Sequence, residues 1–532
     1  MDDEAQTKHT EEHPALSSWK RWWGSIHWRV YCLFPRIIGC PYDRSALREA
    51  EHDAKQNQDS YVPPESKLRC DMVWGVELYG PDEIEQLYGG LKKLGWRSVA
   101  SSHADNFAHQ RVRQMRIRDS SGWINIGVVM PPGRNRHFMP IDNHAKLPES
   151  VESLVVRVYQ VTPSLTAVAI AFRLNEAAAR KYEERLNASL RTIHRRLKGT
   201  WQIEHWGPVN QKQEAVRDVR EALRSMVKTW FSNHIPGYFC GTHSAMPTME
   251  LVVGRGLCST EGGKRMQTGW RSWQALVAES RSRDNWVSDK YPGLELAFYE
   301  DYEVDFGIHL LLRADPDYFT KDVALGTDLT NGSCGSFWDD TFNETLVHCA
   351  TIELLRSQTR LVRAVRERMK LVRTGRSHVS RTLSEIGSFF DQTLGSPSVL
   401  RELRALSKDV HSYQQSCANL TAPPWYASDS PNELHQAIRR TVRDHSKQLI
   451  VEEADLRGHV GQLASILSVR ESIAVQRWML GLAIVALIVA VGSLVATLPR
   501  DVVFYLKDSA LTQLQSLGAV IFNAMRLLLA PT

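Results

Sequence analysis

Six arginines that lie close together in the chain have the type and spacing best suited to binding chemistry: Arg111, Arg113, Arg116, Arg118, Arg134 and Arg136. A guanidinium group is always charged and pairs well with planar oxyanions, so this group in a cleft could clamp a phosphate-bearing ligand. Arginines in such a pattern are more often solvated strand residues. Both interpretations stay open: an anionic-ligand patch and an ordinary exposed surface.

Other candidate sites are incomplete. His234, Cys240 and His243 offer imidazole and thiolate, which zinc prefers, but no fourth ligand is evident. Four carboxylates crowd one predicted turn and are typical of a solvated acidic loop: Glu300, Asp301, Glu303 and Asp305. Glycines near residues 254 and 263 do not complete a dinucleotide fingerprint or a phosphate loop. We therefore predict no catalytic, cofactor or metal residue and expect a non-enzymatic protein.

The bulk composition is that of a mostly globular chain. At 532 residues, with 43% hydrophobic and 23% charged residues, we expect two or three domains. Nucleic acid is not expected as a partner, because a net charge of +5 over this length is mild. The eight cysteines include no C-x-x-C pair, and the first 30 residues lack a secretory signal. Both features predict that the large N-terminal part lies in the cytosol.

The elements expected to position these residues form an α+β or α/β domain over residues 65–320. Alternating and helical periodicities predict strands at Met72–Leu78, Arg111–Arg118, Trp123–Met130, Leu154–Gln160, Leu165–Leu174, Leu294–Tyr299 and Val304–Leu312. They predict helices from Gly80 to Gly95, at Asn175–Lys198 and at Asn210–Trp230. The six arginines would then occupy a hairpin and the loop that follows it.

Residues 1–64 are expected to be a flexible segment that contains an amphipathic helix over 16–34. Its apolar face carries Trp19, Trp22, Trp23 and Ile26, and its charged residues are all basic. This composition is typical of a helix that lies at a membrane interface. The same face could instead dock onto the protein's own domain, and the sequence favours neither interpretation.

The C-terminal part is predicted to be helical and to enter a membrane. Residues 343–477 indicate a helical bundle and a coiled-coil stalk, with apolar residues recurring three, four or seven apart. Residues 478–498 are 21 uncharged positions that as a helix would span about 30 Å, the thickness of a bilayer core. The anchoring side chains would be Trp478, Leu482, Ile484, Leu487, Ile488 and Leu494. Residues 509–530 would cross back or lie on the surface, and we favour crossing.

This order of parts, most specifically over Ser430–Ala530, resembles that of the CorA-type divalent-cation channels. The resemblance implies a pentameric assembly with a magnesium-selective pore. That family's Gly-Met-Asn triplet follows the first span, whereas the corresponding loop here, Pro499–Lys507, contains no such triplet. No ion-selectivity residue can therefore be transferred to this chain.

The function expected from this layout is that of a membrane-anchored sensor, effector or scaffold. Its cytosolic domain would bind an anionic ligand or a protein partner, and the helical stalk would relay that event to the lipid bilayer. We expect a homo-oligomer located at the cell membrane. The alternative is a CorA-like ion channel or transporter without the usual selectivity motif, and an enzyme with an unrecognised site is a third hypothesis.

Overall fold

A computed structural model defines the fold. It describes residues 43–99, 107–118, 122–134, 143–196, 203–242, 244–258, 271–278, 285–288, 293–299, 308–319, 331–372, 396–417, 420–423 and 433–497, with shorter stretches between 23 and 38 and between 260 and 269, and Gly387. The chain divides into two compact units at Ile450. All sites discussed below lie in the first unit.

The described part of the first unit is built around a sheet. The strands are β1 (Arg69–Tyr79), β2 (Gly122–Met130), β3 (Asn143–His144), β4 (Val151–Thr162), β5 (Leu165–Leu174), β6 (Ile193–Arg196), β7 (Ile203–Trp206), β8 (Thr248–Val253), β9 (Thr260–Glu261), β10 (Lys264–Arg265), β11 (Asn285–Ser288), β12 (Leu294–Tyr299), β13 (His309–Ala314) and β14 (Leu420–Thr421). Ten strands form one mixed sheet in the order β14-β11-β12-β13-β8-β1-β5-β4-β2-β3. Its β8–β13 and β2–β3 pairs are parallel and its other pairs antiparallel. Strands β6 and β7 form a separate hairpin, as do β9 and β10.

The described helices are α1 (Asp43–Asp59), α2 (Ile84–Leu94), α3 (Ala108–Ile117), α4 (Glu176–Ala179), α5 (Lys181–Asn187), α6 (Pro208–His234), α7 (Tyr238–Gly241), α8 (Trp273–Ala278), α9 (Pro316–Phe319), α10 (Asn331–Val372), α11 (Ser396–Leu406), α12 (Val410–Ser416) and α13 (Leu434–Thr497). Strand β1 is buried at ten consecutive residues, Cys70–Tyr79, so both faces of the sheet are covered there. Both α6 and α10 pack against it. At Gly75 a Cβ would lie 2.3 Å from Cγ1 of Val227, so only glycine lets α6 approach this closely.

Several predicted elements are confirmed. Strand β1 contains the predicted Met72–Leu78, and β4 and β5 form the predicted hairpin. Helix α2 ends where Gly95 takes a left-handed conformation with φ of 66°, and its N–H donates to the carbonyl of Leu91 at 3.1 Å. The predicted strand Arg111–Arg118 is wrong, because this segment is helix α3. Alternating arginines imitated a strand, but the buried residues Ala108 and Val112 are four apart, which is helical spacing.

The predicted fold separated an α+β domain over residues 65–320 from a helical bundle that follows it, and this separation is wrong. The sheet is not confined to residues 65–320, since β14 adds a strand from residues 420–421. Helix α10 packs against β1, β5 and β8. The predicted apolar stripe on this helix is buried at Ile352, Leu355 and Val362. These side chains complete the core around the sheet, so this helix is not part of a separate bundle.

The segment predicted to cross a membrane, 478–498, falls on the last part of α13. There Trp478, Leu482, Leu487 and Ile488 are exposed and Ile484 is half-buried, while the side chain of Leu494 lies outside the described part. Within the part of the chain that the structure describes, no helix combines the length and apolarity of a membrane span. The predictions of a transmembrane helix, a two-helix hairpin and a location at the cell membrane are therefore wrong.

Some predicted elements lie outside the described residues. These are residues 509–530, Trp19, Trp22, Arg136, His243 and the acidic turn at Glu300, Asp301, Glu303 and Asp305. Of the predicted interfacial helix, Trp23 and Ile26 are described as helical, with Trp23 exposed and Ile26 half-buried.

Candidate functional site

Four of the six predicted arginines come together on one helix. Arg111, Arg113, Arg116 and Arg118 lie on α3 or directly after it, whereas Arg134 is exposed in the turn after β2. Ala108 and Val112 fix the buried face of α3, and helical geometry places Arg111 on one flank of the opposite face and Arg113 on the other, with Arg118 beyond the end of the helix. Arg116, four residues after Val112, lies on the side that faces the sheet. The structure therefore leaves three of the four cations around the exposed side of α3.

Helix α2 adds further cations beside α3. Its last turn carries Lys92 and Lys93, both exposed, and Arg97 follows the buried Trp96. The guanidinium of Arg97 lies over the ring of Phe107, 5.3 Å from its centroid, directly before α3. We call Lys92, Lys93, Arg97, Arg111, Arg113 and Arg118 the α2–α3 basic surface. Residues 86–118 contain seven lysines and arginines and a single acid, Asp105.

The charges of this surface are not neutralised by the described residues. None of its six cations lies within ion-pair distance of a described carboxylate. Elsewhere arginines pair regularly, for example Arg180 with Glu176 at 2.6 Å. Lysines and arginines without partners keep their full field toward solvent, which attracts anions.

Arg116 fastens α3 to the sheet. Its Nη1 donates to Oγ1 of Thr166 at 2.9 Å and its Nη2 to the carbonyl of Ser164 at 3.1 Å. Burial lowers the pKa of Arg116, although nearby Tyr88 and Glu402 act in the opposite direction. This arginine is thus a positioning residue, and it holds the other three in place.

The centre of the exposed face is apolar. Ile117 is 75% exposed, although isoleucine is normally buried. It belongs to the same turn as Arg113, Gln114 and Arg118, so one solvent-facing surface offers charge and an apolar contact together. A surface of this kind suits an acidic partner that also carries apolar side chains.

A small cleft, open to solvent, lies at the end of β1. It is lined mainly by apolar side chains, with Asp82, Glu83, Tyr238 and Gln358 as polar groups. The carboxylate of Glu83 accepts from the N–H of Gly80 at 3.0 Å, and burial raises the pKa of Glu83. The phenol of Tyr238 donates to Oγ of Ser357 at 3.0 Å and accepts from Nε2 of Gln358 at 3.1 Å. The polar side chains of Glu83, Tyr238 and Gln358 are therefore committed to contacts within the fold.

The predicted zinc residues have other roles in the structure. Nδ1 of His234 is 2.9 Å from the carbonyl of Trp230, and the imidazole stacks on that indole. Burial and the neighbouring Glu77 raise the pKa of Cys240 to about 12, so its thiol stays protonated. Among the described residues, the group that could hold a metal ion is a different one: Glu49, His194 and His205.

A buried cluster in the sheet resembles an active site in its residue types. Glu250 accepts from Nε of Arg220 at 2.8 Å and from the phenol of Tyr182 at 2.7 Å. Burial would raise the pKa of Glu250, but the charge of Arg220 and the proximity of His309 hold it well below its ordinary value. Burial lowers the pKa of His309 to about 4 despite that carboxylate. Because Arg220, Glu250 and His309 are all at most 3% exposed, substrate has no access to this cluster.

Sequence reasoning missed Lys92, Lys93 and Arg97 as neighbours of the arginines, although the excess of cations over residues 86–118 was a usable signal. It also missed the group of Glu49, His194 and His205. Glu49 lies 145 positions before His194, and no short motif joins the three. No protein-family model and no curated protein matches this chain. Functional inference therefore depends on the geometry of the sites.

Proposed function

We propose that this protein is a non-enzymatic binding protein that holds an acidic protein segment on its α2–α3 basic surface. The observation that carries the proposal is the set of six cations without a described carboxylate partner, arranged around the exposed Ile117. Guanidinium groups bind carboxylates through paired hydrogen bonds, so arginine is well suited to glutamate and aspartate side chains.

The rigidity of the surface supports binding. Helix α3 is anchored by Arg116 and by its buried residues, and the N–H of Ala108 donates to the carbonyl of Trp96 at 2.8 Å. The arginines therefore project from a fixed backbone, which reduces the entropy lost when a partner binds. Lys92 and Lys93 extend the positive field beyond the helix and would accelerate encounter with an acidic chain.

An acidic protein segment accounts for more of the surface than a small anion does. A small anion would need only a few convergent donors, whereas here the cations are spread over two helices. The 75% exposed Ile117 would be covered by an apolar side chain of the partner. In this role the protein would act as a scaffold or effector that recruits acidic partners.

The test is a fluorescence anisotropy titration of the full-length protein with a short labelled peptide rich in glutamate and leucine. We expect the double variant Arg113→Glu, Arg118→Glu to bind at least about tenfold more weakly, a loss of about 1.4 kcal/mol or more. Binding to the unaltered protein should weaken as salt is added, because exposed charges are screened.

The matched control is the double variant Lys181→Glu, Arg185→Glu, which changes the net charge equally on the exposed side of α5. It should bind the peptide nearly as well as the unaltered protein. Equal losses in both variants would mean that net charge alone attracts the peptide, and the proposal would be abandoned. A peptide of glutamate alone should bind more weakly than the glutamate–leucine peptide if Ile117 takes part.

A further inference from the structure

A second site is assembled where α1 meets the β6–β7 hairpin. His194 and His205 are paired directly across the two strands. Side chains of directly opposed residues in an antiparallel pair project from the same face, so both imidazoles lie on one side of the hairpin. Their ring centroids are 4.7 Å apart and nearly perpendicular, at 87°. The hairpin thus presents two nitrogen ligands side by side.

Helix α1 supplies a carboxylate to the same point. Oε1 of Glu49 lies 3.2 Å from Nε2 of His194. One ligand atom from each of Glu49, His194 and His205 lies within 4.8 Å of the others. Bonds of about 2.0–2.2 Å from a single tetrahedral ion place its ligand atoms about 3.5 Å apart, so the three ligand atoms need to move only slightly closer together. The three side chains can therefore reach one ion with small rotations.

The approach of α1 to the hairpin is fixed by hydrogen bonds beyond the three residues. One turn after Glu49, the carboxylate of Asp53 accepts from the N–H of Thr192 at 2.8 Å and from its Oγ1 at 2.6 Å. One further turn on, the side chain of Asn57 donates to the carbonyl of Leu190 at 2.7 Å and accepts from its N–H at 3.1 Å. Glu49, Asp53 and Asn57 lie four apart, so one stripe of α1 holds β6 and the residues directly before it. Such support keeps a metal site preorganised.

We infer that Glu49, His194 and His205 form a binding site for a divalent transition-metal ion such as Zn²⁺. Two imidazoles and one carboxylate suit zinc and its neighbours, whereas magnesium and calcium prefer oxygen ligands alone. The side chain of His194 is buried, that of Glu49 is half-buried and His205 is exposed, so solvent can supply the remaining ligand from the side of His205. A bound ion would clamp α1 to the hairpin. This site lies on other elements than the α2–α3 basic surface.

The test is isothermal titration of full-length, untagged, chelator-treated protein with Zn²⁺ alone. We expect one ion to bind per chain, with affinity at least tenfold weaker in His205→Ala and in Glu49→Gln. His205 is exposed and Gln can keep the contact with His194, so both variants should unfold at the same urea concentration as the unaltered protein without metal. Titration with Co²⁺ should give visible absorption bands of a histidine-ligated ion, and His205→Ala should lose them.

The control is His459→Ala, which removes an exposed histidine of α13 and should leave Zn²⁺ binding unchanged. Binding by His205→Ala equal to that of the unaltered protein would overturn the inference, as would the absence of binding at one ion per chain. Peptide binding to the α2–α3 basic surface should be unaffected by His205→Ala, so failure of this site and failure of the proposed function can be told apart.

Discussion

The buried core around the sheet and the α2–α3 basic surface both contain several charged residues. In the core these charges form ion pairs with each other, whereas on the surface they form none with the described residues. Within the core, Arg220 of α6 lies 2.7 Å from Glu250 of β8, and Arg313 of β13 lies 2.8 Å from Glu295 of β12, with every side chain at most 3% exposed. On the surface, six cations have no described carboxylate within ion-pair distance. The first arrangement neutralises itself, and the second needs an anion from elsewhere.

This difference separates charges that stabilise the fold from charges that can serve a partner. Removing one member of a buried pair leaves an unpaired charge in a medium of low polarity, which is costly. An exposed cation can be removed at little cost to the fold. Residue type alone does not distinguish the two kinds of charge, because arginine occurs in both.

The largest expected effect is at the buried pair. We expect Arg220→Met to lower the free energy of unfolding by about 3–5 kcal/mol, because Glu250 would remain buried without its cation. Urea denaturation of the full-length protein measures the change. The double variant Arg220→Met, Glu250→Gln should recover at least half of the loss, since it removes the stranded charge and keeps an acceptor for Tyr182. No recovery would mean that the loss reflects packing and not charge.

Glu77 is a buried carboxylate with no cation within ion-pair distance among the described residues, so its ionisation should destabilise the fold. Burial raises the pKa of Glu77 to about 7, against the effect of hydrogen bonds that include one from the N–H of Phe239 at 2.6 Å. Between the ordinary pKa near 4.5 and this value, the folded protein holds a proton that the unfolded chain has released. The contribution of Glu77 to the free energy of unfolding should therefore be greatest below about pH 4.5. It should fall by on the order of 3 kcal/mol as the pH rises through 7.

The variant Glu77→Gln tests this assignment, because it cannot ionise. Urea denaturation at a series of pH values should show a smaller decrease in stability between pH 5 and 7 for the variant than for the unaltered protein. Identical pH dependence in the two proteins would contradict the assignment. Glu250, whose arginine lowers its pKa, should not contribute a slope in this range.

The smallest expected effects are at two adjacent glycines in α2, the helix that carries Lys92 and Lys93. A Cβ at Gly90 would lie 2.6 Å from the backbone carbonyl of His234, so Gly90→Ala should destabilise the protein by about 1–3 kcal/mol. A Cβ at Gly89 would meet nothing within 4 Å, so Gly89→Ala should stabilise it by about 0.5–1 kcal/mol. Thermal unfolding of both variants gives the two signs, and equal signs would mean that α2 does not dock as described.

Local sequence patterns predicted the parts of the fold that depend on neighbours in the chain. The strand at Met72–Leu78, the β4–β5 hairpin and the stop at Gly95 each follow from a short run of residues. The pairing of β8 with β13, by contrast, joins Thr248 to His309 across 61 positions, and no local pattern specifies it. Local patterns also do not identify the partner of an apolar helix face. For this reason α10 was assigned to a helical bundle, although it packs against the sheet.

The candidate site was predictable in composition but not in shape. The excess of arginine after residue 110 was visible in the sequence, and the alternation of Arg111, Val112 and Arg113 favoured a strand. The buried positions of Ala108 and Val112 decide for a helix, and they depend on packing against distant strands.

Amide hydrogen exchange of the full-length protein, with and without the glutamate–leucine peptide, tests the central claim most directly. We predict slower exchange in fragments covering residues 84–118 when the peptide is bound, and unchanged exchange over residues 176–187. If the peptide slows exchange elsewhere but not over residues 84–118, the claim that the α2–α3 basic surface is the binding site is contradicted.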